Sequence, residues 1–364
     1  MLNLFKTYRG LPKSIYILFL AQIINRFGDF VVPFLTLYLT KKLGFSFEAS
    51  GIIVMIGLLL TIPGSLTGGK LADHFGRKKT YLISQTIAGA FLIPCAFINQ
   101  PTVIIICLFI STFFNGAVRP PMNAIVADIL PPEKRQLGYS LLYLGTNFGV
   151  ALGPIVAGFL FNNFLPLLFI GDALTSFIAV ILVLINIEET NPEEETYIEE
   201  ERKEDGSLIT VLFRRPQILI FLLIYIIYSF VYTQHRFSLP LMMDYIFTGK
   251  GAERFGYLMS INAFTVLLLT IFVTDITKKF KPLVNIVIAG ILYAVGFGMI
   301  GIIETFFLFI ISTVLWTIGE ILIATNFGVY VANNSPQNFR ARFSSVGSLS
   351  WAIGGALGTS LVGK

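Results

Sequence analysis

The sequence predicts an all-α polytopic membrane protein, on three observations. Apolar residues make up 55% of 364 and charged residues only 13%, with a mean hydropathy of +0.79; a soluble domain carries roughly 25% charged residues. Apolar runs of about eighteen residues or more recur along the whole chain, each long enough to cross a ~30 Å hydrocarbon core. The runs are continuous rather than alternating in period two, which argues against an outer-membrane barrel.

Eleven spans are expected, at 14–40, 48–72, 80–98, 102–128, 137–163, 165–187, 216–240, 254–276, 282–303, 305–333 and 342–363. The first follows a short basic start without a small-residue cleavage site and reads as retained rather than as a signal peptide. The amino terminus and the loops that share its side hold seventeen cations: Lys6, Arg9 and Lys13; Arg77, Lys78 and Lys79; Lys134 and Arg135; Arg202, Lys203, Arg214 and Arg215; Lys278, Lys279 and Lys281; Arg340 and Arg342. The other side holds Lys41, Lys42, Lys250 and Arg254. That imbalance predicts a cytoplasmic amino terminus in a multi-pass protein of the cell (plasma or inner) membrane. The pI near 9.1 then reflects loop cations, with no polar basic domain to bind nucleic acid. Cys95 and Cys107 fall inside apolar runs and read as small core residues, not as a disulfide or metal site.

After span six, "IEETNPEEETYIEEERKEDGS" (Ile187 to Ser207) carries nine glutamates and cannot bury a core. It reads as a disordered or loosely helical linker, followed by "SLITVLFRRPQ" as an interfacial lead-in to span seven. The chain therefore divides into a half at 1–187, an acidic linker at 188–215 and a second half at 216–364. A shift of 205 residues lays Arg135 on Arg340, Gly149 on Gly354, Gly153 on Gly358 and Asp128 on Asn333. "TDITKKFK", 274–281, is a worn second copy of "GGKLADHFGRKK", 68–79, about 202 residues on. The repeat favours two parallel six-span halves with a substrate site between them. A twelfth span is then expected, and its absence before Lys364 reads as truncation or loss, with truncation favoured.

"GKLADHFGRKK", Gly69 to Lys79, lies in the short loop between spans two and three. It resembles the signature of the major facilitator superfamily: Gly, Leu, small, Asp, two residues, Gly, Arg, then Lys or Arg. Gly69 lets span two approach its neighbours, and Gly76 allows a tight reversal. Asp73 is a fixed anion that can face a helix amino terminus, and Arg77 is a planar fork suited to a carboxylate. The resemblance implies that Gly69, Asp73, Gly76, Arg77 and Lys78 form a latch on the cytoplasmic side, with Asp128 as the partner of Arg77. Arg77, Lys78 and Lys79 as bare topology anchors remain the simpler alternative, which suits Lys78 and Lys79 but does not account for Asp73, Gly69 or Gly76.

"GVALGPIVAG" in span five resembles the antiporter motif of the family's drug-efflux branch, through Gly149, Gly153, Pro154 and Gly158; Ala157 departs from the pattern. Small residues four apart also serve plain helix packing, and Pro154 bends the span.

Ionisable side chains at membrane depth are costly and usually functional. "NRFGDF" puts Arg26 and Asp29 on one face of span one, "NGAVRPP" puts Arg119 in span four, and "WTIGE" puts Glu320 in span ten. Asp29 and Glu320 are the candidate proton carriers, with Arg26 and Arg119 tuning them. A static Arg26–Asp29 pair is the open alternative. Asn25 and Asn147 are candidate cavity donors, and Gln234 is a further one. Asp172 and His235 read as partners in interhelical hydrogen bonds.

The resemblance implies a monomeric secondary transporter, not an enzyme, whose partners are a small-molecule substrate, protons and the lipid bilayer, with no nucleic acid, cofactor or metal. Proton-coupled export of small hydrophobic or amphipathic molecules leads. Uptake of a peptide or other nutrient by the same fold is the alternative, although the paired glutamates of peptide symporters are missing. The two histidines lie on different faces of the membrane plan, and no phosphate-cradling Gly-Lys-Ser/Thr motif exists, which argues against an enzyme and against ATP-driven transport.

Overall fold

The computed structural model describes residues 7–190, 202–248 and 250–362, and these are helical with turns and no strand. Helix starts follow local chemistry. Proline, whose missing N–H costs nothing in a first turn, opens α5 (Pro101–Ile129), α6 (Pro132–Asn163), α9 (Pro216–Ile246) and α11 (Pro282–Ile300). Ser46 caps α3 (Phe47–Phe75), its hydroxyl accepting from Ala49 N at 3.1 Å. The remaining long helices are α7 (Leu165–Asn186), α10 (Gly251–Thr277), α12 (Phe306–Asn334) and α13 (Arg340–Val362). The short α8 (Leu208–Phe213) lies in the expected lead-in to α9.

Two expected spans are corrected. The first, 14–40, is two helices, α1 (Lys13–Phe27) and α2 (Val31–Lys41), broken at Gly28–Phe30. Pro33 has no N–H with which to continue a ladder through the break. The N–H groups of Phe30 and Val31, orphaned at the start of α2, both donate to Asp172 Oδ2 of α7 at 3.2 Å. The third, 80–98, is the 14-residue α4 (Arg77–Ala90), then a turn and a 3₁₀ helix at Pro94–Ala96. Hydropathy runs on past Ala90, but Pro94 cannot extend the ladder. Among the described residues, nine segments are long and apolar enough to cross a bilayer, with α1 and α2 counted as one; α4 and α13 lie outside that set.

The linker's centre, 191–201, lies outside the described residues, so the expectation of disorder falls there. Its flanks are docked. Glu189 accepts from Lys78 N and Lys79 N at 2.7 and 3.0 Å, capping α4. Glu204 pairs with Arg215 at 2.6 Å.

The helices pack in two sets. α3 and α4 lie on α5, α1 lies on α6 and α7, and α4 also lies on α7; in the second set α9 lies on α13, and α10 and α11 lie on α12. The sets meet where α3 and α5 touch α13 and where α6 touches α10 and α12. Lipid offers no hydrophobic drive for helix association, so close backbone approach does the work. A Cβ on Gly64 of α3 would overlap the carbonyl oxygen of Phe113 of α5. Outward faces carry leucine, isoleucine and phenylalanine, such as Leu58, Leu59, Ile185, Leu223 and Ile291, all exposed, as a lipid-facing surface requires.

Candidate functional site

The α3–α4 junction sits on the basic face, where the two sets touch. Gly76 joins the helices with φ of +111°, a conformation that suits glycine alone, so α4 reverses at once from the end of α3. This leaves the Asp73 carboxylate aimed at the start of α13. Its Oδ1 accepts from Ala341 N at 3.1 Å, and its Oδ2 accepts from Arg342 N at 3.0 Å and Arg342 Nε at 3.1 Å. An anion on a helix amino terminus is favoured by the unsatisfied N–H groups there. Gly69 makes the approach possible: a Cβ there would overlap Ser345 Oγ and lie 2.8 Å from Ala341 O.

Arg77 is wholly buried beneath this contact. Its Nη2 donates to Gln337 O at 2.7 Å and lies 3.5 Å from Asp73 Oδ1, while its Nε lies 3.0 Å from Asp128 Oδ2. Arg340 Nη1 reaches the other oxygen of Asp128 at 2.5 Å. In return, Arg135 Nη1 donates to Asn333 Oδ1 at 2.6 Å. The repeat is therefore physical: each set sends the arginine that opens α6 or α13 to the end of the other set's α12 or α5. Lys78 is not brought into the cluster; its Nζ donates to Leu184 O at 2.8 Å, at the end of α7.

A cavity of about 320 Å³ lies between the sets, at the small end of the range for ligand sites. One wall is amide-rich and cationic, with Gln22, Asn25 and Arg26 of α1, Gln85 of α4, and Asn115, Arg119 and Asn123 of α5. The facing wall is aromatic, with Tyr225 and Tyr232 of α9, Tyr293 of α11 and Trp351 of α13. Tyr225 and Tyr232 each lie against Trp351, with ring centroids 5.3 and 5.5 Å apart. Glu320 of α12 joins the walls. Its Oε1 accepts from the hydroxyl of Tyr143 (α6) at 2.9 Å, and its Oε2 accepts from Asn262 Nδ2 (α10) at 2.9 Å.

Of the residues expected here, Asn25, Arg26, Arg119 and Glu320 line the cavity. Asp29 does not; it lies in the α1–α2 break with Oδ2 3.5 Å from Arg26 Nη1. Asn147 instead donates to Tyr143 O of its own helix at 2.9 Å, and Gln234 donates to Gly358 O at 3.1 Å. His235 stacks on Trp316 with centroids 5.4 Å apart, and its Nε2 accepts from Arg236 Nε at 3.2 Å. Gly149 and Gly153 pack on the end of α1: a Cβ on either would come within 2.6 Å of Arg26 Cβ or Phe27 O. Tyr143, Asn262, Gln22 and Gln85 had not been singled out. Asn262, Gln22 and Gln85 are amides inside expected spans, whereas Tyr143 is one aromatic among many.

Residues 18–359 match the profile of the Major Facilitator Superfamily. A Na(+), Li(+), K(+)/H(+) antiporter of Planococcus maritimus is 22% identical over 355 residues, which covers 89% of this chain and 82% of that protein. Among solved structures, the human organic anion transporter MFSD10 superposes with a TM-score of 0.72 at 15% identity, covering 96% of this chain and 94% of that one. The proton:xylose symporter XylE superposes with a TM-score of 0.69 at 14% identity, covering 96% and 87%. With the match running from α1 into α13 across both sets of helices, the chain belongs to the Major Facilitator Superfamily, whose members are transporters rather than enzymes.

Proposed function

We propose that this chain is a proton-coupled secondary transporter that exports small hydrophobic or amphipathic molecules by alternating access. Its halves, 1–187 and 216–364, rock about the cavity as a monomer in the plasma membrane, with the basic face cytoplasmic and 188–215 as the connecting linker. The observation that carries the reading is the Asp73 carboxylate seated on the first N–H groups of α13. That contact exists only while the halves touch on the basic face, so it is a gate whose opening exposes the cavity to that side.

Glu320 is the proton carrier in this reading. Its hydrogen bonds come from neutral side chains of both halves, Tyr143 in the first and Asn262 and Tyr232 in the second, so a change in its charge is felt across the interface. Asp29 serves to hold Arg26 at the cavity edge. Export is supported by the α6 glycine motif lying on the end of α1 beside Arg26. The cation/proton antiporter named for the Planococcus relative supports exchange with protons. Uptake of a nutrient remains the second reading, favoured by the cationic wall around Arg119, which suits a polar cargo.

The test is flux in proteoliposomes under imposed proton gradients of both signs, with a reporter fused after Glu195 or Lys250 fixing the orientation. Export predicts substrate movement against the proton gradient, with the first fusion cytoplasmic and the second outside. Movement with protons in the same direction would select uptake, and flux indifferent to the gradient would remove proton coupling.

A further inference from the structure

We infer that the cargo is an organic anion carrying an aromatic ring, with its carboxylate on Arg119 and its ring against Tyr225, Tyr232 and Trp351. The inference rests on the transporter reading and specifies the substrate class of that cavity.

Arg119 opens into the cavity and has no ion pair or hydrogen bond among the described residues. Other arginines meet carboxylates: Arg26 faces Asp29, Arg77 and Arg340 share Asp128, and Arg342 holds Asp73, while Arg236 donates to His235. Arg119 is exposed into the cavity, as an arginine at membrane depth characteristically is when it faces water or a partner. Pro120 and Pro121 follow it directly inside α5 and both are buried, which fixes the backbone from which its side chain reaches. Glu320, the carboxylate in the cavity wall, makes no ion pair with Arg119 among the described residues; its oxygens accept from Tyr143 and Asn262, and the cation that acts on it is Arg236. A second donor, Arg26 Nε, is buried without a partner at the edge of the same cavity.

The wall opposite Arg119 decides what accompanies the anion. Planar side chains there offer stacking and edge contacts to a flat apolar group. A guanidinium fork binds a carboxylate through two parallel hydrogen bonds and distinguishes it from a neutral amide of the same shape. Cation and rings on opposite walls of a small cavity therefore select one molecule with an anionic end and an aromatic end.

The purified full chain is dialysed to equilibrium against 2-naphthoate and, separately, 2-naphthamide, which share a ring and differ in charge. Wild type is expected to bind naphthoate at least tenfold more tightly. Arg119→Gln should bring the two within twofold, Arg119→Lys should restore part of the preference, and Tyr225→Leu should weaken both ligands. Naphthoate, but not naphthamide, should also protect Arg119 from phenylglyoxal, read by peptide mass spectrometry on the unmutated protein, so the result does not depend on a variant folding. Equal binding of the pair, no binding of naphthoate, unprotected Arg119, or a folded Arg119→Gln that keeps the preference would each overturn the inference. The transporter reading fails separately: naphthoate bound through Arg119 yet never carried across a proteoliposome membrane removes transport and leaves the anion site. Naphthamide carried as well as naphthoate does the reverse.

Discussion

Glu320 and Asp29 are both carboxylates in spans, yet their surroundings assign them different work. Glu320 faces the cavity and is held by Tyr143 and Asn262. Asp29 lies in a helix break, outside the cavity lining, with its side chain 32% exposed, 3.5 Å from the 38% exposed Arg26 and near enough to Asp172 to act on it electrostatically. In a folded Glu320→Gln protein, proton-driven flux should fall at least tenfold while substrate exchange, which needs only the movement of the halves, persists. Asp29→Asn should keep at least a third of the driven flux and lose only a few degrees of melting temperature, with Arg26→Gln adding little more. Flux and thermal melts on the three variants check this. The reverse pattern, with Asp29→Asn uncoupled and Glu320→Gln normal, would move the proton site to the α1 break.

At the scale of the element, the α1–α2 break shows what a hydropathy profile conceals. Lys13 to Lys41 is apolar enough for one span, and the apolar runs located most helices to within a few residues. Hydropathy does not register hydrogen-bond supply, and Pro33 was the visible sign that a ladder would fail. The acceptor that makes the break tolerable, Asp172, is legible as an interhelical hydrogen-bond partner, but it lies 142 residues from Phe30 in sequence, so no local pattern says which helix it holds. The site was legible to the same degree. Arg26, Arg119 and Glu320 stand out as charges in apolar runs, whereas Tyr143 and Gln85 declare themselves only when packing fixes which helix face meets the cavity. Asn147 shows the same limit, since its amide donates to Tyr143 O of its own helix. Asp172→Ala leaves two buried N–H groups unsatisfied and should cost about 2–6 kcal/mol, at 1–3 for each. Asp172→Asn, which keeps an acceptor oxygen, should cost less than half of that. Detergent-solubilised thermal melts rank the two variants; equal losses would mean that the charge, not the acceptor, holds α2.

For the whole molecule, the reciprocal contacts on the basic face tie the internal repeat to the gate. Arg340 meets a charged partner, Asp128, while Arg135 meets the neutral Asn333 at the matching place. One half of the closure is thus an ion pair and the other a hydrogen bond from a cation to a neutral amide, the weaker of the two. Buried charged pairs are expensive to break, at about 3–5 kcal/mol when one partner is lost. Asn333→Asp should therefore raise the melting temperature and slow transport severalfold by trapping the closed gate, whereas Arg135→Gln should relax it. Faster transport from Asn333→Asp would show that Arg135 takes no part in holding the closure.

The claim beneath all of this is that the basic face opens and closes and that Asp73 on α13 sets the balance. Spin labels at Lys79→Cys and Lys279→Cys, both exposed on that face in different halves, with Cys95 and Cys107 replaced by alanine, report the separation of the halves by pulsed electron resonance. The account predicts two distance populations in wild type, with Asp73→Asn enlarging the longer one as the charge holding the α13 terminus is removed. A single population, unchanged in a folded Asp73→Asn protein, would contradict it.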